Sequence, residues 1–137
     1  MIHSLRLTLF TLALLSSIFF SSCEKDEGKL PNIAFKSGSG YTPSNTTVTR
    51  GSTVTVGIDA SKSEDKDVLK SFDASKSLDG GAASSFYSES LSGSNGDKYS
   101  KDLTITTRNQ AGTELYTFTV VNRDGLRNSV SLTLTVQ

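Results

Sequence analysis

From Leu30 onward the apolar residues of this chain recur at every second position, and that alternation restricts it to β-structure. Val130, Leu132, Leu134 and Val136 alternate with Ser131, Thr133 and Thr135. Tyr116, Phe118 and Val120 alternate with Thr117 and Thr119, and Val54, Val56 and Ile58 with Thr53, Thr55 and Gly57. Successive side chains of a strand point to opposite faces, so each run has one face to bury and one for water. Leu103 and Ile105 mark a shorter strand, and Ile33 and Phe35 a first one. Residues 68–75 and 82–91 are less regular and are expected to pair across Leu78-Asp79-Gly80-Gly81. No apolar stripe with helical spacing follows Cys23.

Turn signals divide these runs at regular intervals: Arg50-Gly51, Asp79-Gly80-Gly81, Gly93 to Gly96, Ala111-Gly112 and Asp124-Gly125. About seven short strands in roughly a hundred residues, so punctuated, predict an all-β fold, an immunoglobulin-like antiparallel β-sandwich. Its core is expected to take Phe35, Val56, Ile58, Phe72, Leu103, Ile105, Tyr116, Phe118, Val120, Leu132 and Leu134. Each contributes roughly 1.5–3 kcal/mol on burial, before the entropy of ordering the chain is charged.

The segments Pro31-Asn32-Ile33-Ala34-Phe35, 51–58, 116–120 with Asn122-Arg123-Asp124-Gly125, and 129–136 resemble the immunoglobulin-like domain of small Bacteroidetes lipoproteins. That group is in turn similar to polycystic-kidney-disease-type and bacterial immunoglobulin-like modules. The resemblance runs over 31–137 and implies a sandwich fold and a surface address, but no activity.

The N-terminal part has a different logic. One cation, Arg6, precedes a mainly apolar run over 7–20, then Ser21-Ser22, then Cys23, the only cysteine of the chain. A positive start, a short apolar core and small residues at the cut are the parts of a secretory signal. As a helix the run is roughly 21 Å long against a hydrocarbon core of roughly 30 Å, too short to span. Phe20-Ser21-Ser22-Cys23 resembles the lipobox of bacterial lipoproteins. The resemblance implies a cleaved signal peptide helix over 1–22, a lipidated Cys23 with diacylglycerol on its sulfur, and a lipid-anchored mature chain. Residues 23–30 then form a charged tether, expected to be solvated, that reaches at most about 25 Å. Within it Lys25-Asp26-Glu27 is similar to the export signal of Bacteroidetes-type surface lipoproteins, a lysine followed by acidic residues. It implies an outer-membrane protein exposed at the cell surface; a periplasmic face is the alternative.

Composition removes several classes of function. The 14 lysines and arginines balance 14 acidic residues, and loss of residues 1–22 takes away only Arg6. Scattered, balanced charge offers no basic patch for nucleic acid. The one histidine, His3, lies in the signal, and there is no tryptophan. Ser-His, Cys-His and His-zinc chemistry therefore have no residues to run on after cleavage, and no disulfide is expected. No catalytic residue, metal or cofactor is assigned.

Candidate ligand contacts are the aromatics of the serine-rich stretches, Tyr41, Tyr87 and Tyr99, with Phe86 beside them. Tyrosines in such places stack on a glycan or anchor a protein partner; packing at sheet edges is the competing account. Asn122, Asp124 and Gly125 contain oxygen donors for calcium, but Arg123 stands among them and Asp-Gly between alternating strands is a hairpin turn. Asp59, Glu64, Asp65, Asp67 and Asp73 are interleaved with Lys62, Lys66 and Lys70, which marks a charge-compensated loop. Asn45-Thr46-Thr47 fits the eukaryotic glycosylation pattern and is treated as chance. The expected function is a lipid-anchored surface binding or accessory module without catalytic activity. Its alternatives are a glycan-binding helper of polysaccharide uptake and a structural subunit of a surface complex that pairs through a sheet edge.

Overall fold

The computed structural model describes residues 27–137. Eight strands and one short helix follow in the order β1 (Asn32–Phe35), β2 (Thr46–Val48), β3 (Thr53–Ser61), β4 (Leu69–Leu78), β5 (Ser84–Ser90), α1 (Ser94–Asp97), β6 (Lys98–Thr106), β7 (Gly112–Asn122) and β8 (Arg127–Val136). They form a three-stranded sheet, β1-β3-β6, and a five-stranded sheet, β2-β8-β7-β4-β5. With β3 as B, β4 as C, β6 as E, β7 as F and β8 as G, this is the immunoglobulin-like division of strands between two sheets.

The alternation sets which side chains meet. Val56, Ile58, Leu103 and Ile105 from one sheet face Phe72, Phe118, Val120, Leu132 and Leu134 from the other, all essentially buried. Phe35 completes the core from β1, its ring edge-on to Phe118 at 5.8 Å. The two closing strands pair antiparallel as the Asp124-Gly125 turn requires, with Tyr116 opposite Leu132 and Phe118 opposite Val130. The pairing of β4 with β5 also follows expectation. Its turn places Asp79 and Gly80 at φ +52° and +75°, with Gly81 N–H donating to the Leu78 carbonyl. Two left-handed residues in succession make the hairpin turn that best fits the twist of its strands. A bulge opposite Ala74 and Ser75 makes Phe86 the extra residue of β5.

Among the described residues there are eight strands, close to the expected number of about seven. The additional one, β2, has three residues and runs parallel to β8, with Thr46 beside Leu134 and Val48 beside Val136. Three residues are too few for alternation to show. The Asn45 side chain supports the junction by accepting from Thr133 N–H at 2.8 Å. The Gly93–Gly96 punctuation is a single turn of helix, α1, instead of a simple turn.

The strand directions divide the sandwich into two poles. One carries the start of β1, the β3–β4 loop, α1 and the β7–β8 turn. The other carries the β4–β5 turn, the β2–β3 turn and the β6–β7 loop.

Candidate functional site

Of the residues singled out in the sequence, Cys23, Lys25 and Asp26 lie outside the described residues. Glu27 is exposed at their beginning. The three tyrosines fall into two separate places on opposite faces of β6.

Tyr87 and Tyr99 meet. They stand on strands, β5 and β6, at facing edges of the two sheets. Both hydroxyls donate to the same oxygen of Glu89, from Tyr87 at 2.5 Å and from Tyr99 at 2.6 Å. Lys101 Nζ lies 3.7 Å from that oxygen and 4.6 Å from the centre of the Tyr87 ring. Tyr99 is only 4% exposed, and both rings pack on Phe72. Tyr99 is thus a core residue and not an exposed platform, although it also lines a cleft of the three-stranded sheet. The cluster closes the open seam between the sheets with mutually satisfied partners. The hydrogen bonds from Tyr87 and Tyr99, then the Lys101 charge, hold the Glu89 carboxyl below its ordinary range. Burial and then the Glu89 carboxylate push the Tyr99 hydroxyl upward.

A depressed carboxyl stabilises the fold at pH values above its unfolded pKa, and the stabilisation is lost as pH falls through the folded value. We therefore expect the acid limb of a stability–pH profile to steepen below about 4.5, the ordinary value for glutamate. Glu89→Gln should flatten that limb. An unchanged acid limb in this variant, measured by urea melts from pH 3 to 7, would assign the acid sensitivity elsewhere.

Tyr41 lies on the other side, over the outer face of the three-stranded sheet. Its hydroxyl donates to Asp102 at 3.1 Å, and Lys36 Nζ donates to the other Asp102 oxygen at 2.7 Å. Lys36 lowers the Asp102 pKa most, Tyr41 less, and Asp102 raises that of Lys36. Gly57, opposite Asp102, makes this possible. A Cβ there would sit 2.7 Å from both the Tyr41 ring and the Lys36 chain.

Beside this cover the same face opens into a cleft of about 640 Å³. Its rows come from three strands in register: Asn32, Ser61 and Lys98, then Ala34, Asp59 and Ser100. These alternate with Ile33, Ala60 and Tyr99 of the inner row, so their side chains stand on the outer face. Asn128 of β8 closes one side. Asn32 Nδ2 donates to Ser61 Oγ at 3.3 Å. Among the described residues neither Asp59 nor Lys98 has a side-chain hydrogen bond or ion pair, and Asp59 acts only at a distance, on the Lys36 charge. The cleft therefore offers an uncommitted acceptor and donor over a floor of small side chains.

The acidic residues of the β3–β4 region do not converge. Asp67 is buried and accepts from Asn122 Nδ2 at 2.7 Å and from Val68 N–H. Asp73 accepts from Ser85, and Glu64 lies 3.8 Å from Lys29. Asn122 Oδ1 accepts from the N–H groups of Asp124 and Leu126, which makes it the keystone of the closing turn. Among the described residues no group of three or more His, Cys, Asp or Glu is placed to hold a metal ion.

No protein-family model matches the sequence. No curated protein matches it either. Solved structures do. The superoxide reductase (neelaredoxin) of Ignicoccus hospitalis superposes with a TM-score of 0.54 at 8% identity, over 80% of this chain and 81% of that one. The alkylpurine DNA glycosylase AlkC of Pseudomonas fluorescens, bound to DNA containing an abasic site analog, gives a TM-score of 0.51 at 16% identity. That match covers 79% of this chain and 31% of the glycosylase. The likeness is one of fold.

Proposed function

We propose that this chain is a lipid-anchored, non-catalytic binding module of a bacterial outer surface, held through Cys23, with the cleft of the three-stranded sheet as its ligand site. The anchoring half comes from the sequence: a unique cysteine directly after a short signal, followed by Lys25-Asp26-Glu27. This is also where the resemblance to Bacteroidetes-type surface lipoproteins with a polycystic-kidney-disease-like domain finds its place. The observation that carries the binding half is the cleft, because a concave surface with a few convergent polar groups is the usual form of a ligand site. No histidine and no cysteine beyond Cys23 follow the signal, which favours binding over chemistry.

A saccharide is the ligand class this lining suits best. Asp59 and Lys98 supply an acceptor and a donor with no net charge, Asn32 stands beside them, and the Tyr41 ring stands on the same face. Binding to a panel of polysaccharides should then be lost on Asp59→Ala and Lys98→Ala. Tyr87→Ala, across the sheet, should leave it unchanged. Loss of binding with Tyr87→Ala alone would move the site to the β5–β6 seam.

For the anchor, Cys23→Ser should abolish palmitate incorporation and release the protein from the membrane fraction. Equal incorporation by the variant would refute lipidation at this position. Replacing Lys25, Asp26 and Glu27 by alanine should keep the lipid but hide the domain from external protease. Unchanged protease access would reduce the segment to a spacer.

A further inference from the structure

We propose that residues 28–31 are a clamp, not a loose leash, and that this clamp fixes which pole of the sandwich faces the membrane. The orientation rests on the lipid-anchor reading above; the clamp itself does not.

Three consecutive backbone carbonyls are each taken by a side chain from a different element. The Lys29 carbonyl accepts from Asn122 Nδ2 of β7 at 3.1 Å. The Leu30 carbonyl accepts from the Ser63 hydroxyl of the β3–β4 loop. The Pro31 carbonyl accepts from Asn128 Nδ2 of β8 at 2.9 Å. Asn122 is 2% exposed and is braced by Asp67, which is 1% exposed, so the first of these donors is built into the core. Gly28 sits at φ +70°, where a Cβ would lie 2.8 Å from Asp124 Oδ2. The chain thus passes against the β7–β8 turn in a conformation that glycine alone adopts without strain.

A polar leader in water needs none of this, because its carbonyls are satisfied by solvent. The tether is expected to be solvated through Leu30; the side chains of Lys29 and Leu30 are exposed, but from Lys29 onward its carbonyls are bonded to the sandwich. The consequence is geometric. Cys23 to Glu27 is four peptide units, at most about 14 Å when extended, whereas a tether undocked to Leu30 would reach about 25 Å. The pole with the β3–β4 loop, α1 and the β7–β8 turn is therefore held against the bilayer. The ten residues of β8, nine rises of the strand, place the opposite pole about 30 Å farther along it. The first row of the cleft, Asn32-Ser61-Lys98, lies at the held pole, so the cleft opens sideways beside the membrane. The turn at Asp79-Gly80 and the β6–β7 loop are what an approaching macromolecule meets first.

Two measurements test this. The first needs no lipid. In the chain from residue 23 carrying Cys23→Ser, trypsin should cut after Lys29 at least tenfold more slowly than in the same chain with Gly28→Val. The double variant Ser63→Ala, Asn128→Ala, which leaves the core residues in place, should also speed the cut. Equal rates in all three chains would overturn the clamp. The second uses the acylated chain in phosphatidylcholine vesicles. Its Cys23 sulfur is blocked by lipid, so a cysteine introduced as Asp65→Cys or Asn109→Cys takes a single dye. Energy transfer to a headgroup-labelled lipid should be at least twofold higher from position 65 than from position 109. The difference should collapse with Gly28→Val. Equal transfer from both positions in the parent chain would overturn the orientation. Failure of the chain to float with vesicles would overturn the anchor and the orientation together, leaving the trypsin rates to judge the clamp.

Discussion

Phe118→Ala is expected to cost about 3–5 kcal/mol, the range for removing a fully buried aromatic from a core. Phe118 is 0% exposed and stands on β7, the strand flanked by β4 and β8 in the larger sheet. It lies opposite Ala74 on one side and Val130 on the other, and Phe35 packs edge-on against it from the smaller sheet. Small neighbours such as Ala74 cannot collapse into the space, so a cavity would remain. A domain of this size is stable by only about 5–15 kcal/mol, so the loss takes a large share of the margin. Thr119→Ala, one residue along, should cost no more than about 1 kcal/mol. Its hydroxyl shares a 2.8 Å hydrogen bond with Ser129 on the outer face, where water replaces the lost partner. Urea melts of the two variants give the contrast directly. Equal losses would mean that period two does not describe β7.

That contrast also marks how far the sequence could be read. β3, β7 and β8 were legible because each buries one face against the other sheet, which forces alternation over 53–58, 116–120 and 130–136; Glu114, buried, and Leu115, exposed, break it at the start of β7. The β4–β5 hairpin was legible through its turn, since two successive left-handed residues demand Asp-Gly chemistry. β2 was not, because a three-residue strand is created by its parallel neighbour and not by its own pattern. Tyr99 carried a weak signal. It continues the odd-numbered series of Leu103 and Ile105 toward the start of β6, but Lys101 interrupts the apolar run. Only the structure explains Lys101, whose ammonium lies over Tyr87 and beside Glu89 across the seam.

The candidate site was less legible still. The cleft is assembled from β1, β3 and β6, so its rows join residues 25 to 66 positions apart in sequence. Tyr41 could be picked out as an aromatic, but its place over the sheet depends on Gly57 lacking a side chain. The docking of the tether depends on Asn122, which in the sequence looked like one more turn residue. What set it apart, burial beside Asp67, is a property of two segments 55 residues apart.

The Asn122–Asp67 pair yields the second large expected effect. Asn122→Asp keeps the shape and nearly the volume of the side chain but replaces the amide donor with a carboxylate facing Asp67 across 2.7 Å. Two carboxylates at that distance, both 2% exposed or less, cannot both ionise at modest cost. At pH 7 the variant should lose about 3–5 kcal/mol, as when one partner of a buried charged pair is removed. The sign of the pH dependence distinguishes this mechanism from simple loss of packing. Sharing a proton raises the folded-state pKa of the pair above the roughly 3.9 of an unfolded aspartate. A group raised on folding contributes stability that is full at pH below its unfolded value and is lost as pH rises through the folded one. The deficit of Asn122→Asp relative to the parent should therefore shrink on acidification from pH 7 toward pH 4, at about 1.4 kcal/mol for each unit of raised pKa. Asn122→Ala, which brings no second carboxyl, should lack that recovery. Both variants should expose Lys29 to trypsin, since both remove the donor to its carbonyl. Parallel stability–pH profiles for Asn122→Asp and the parent chain would show that Asp67 does not confront the new carboxylate.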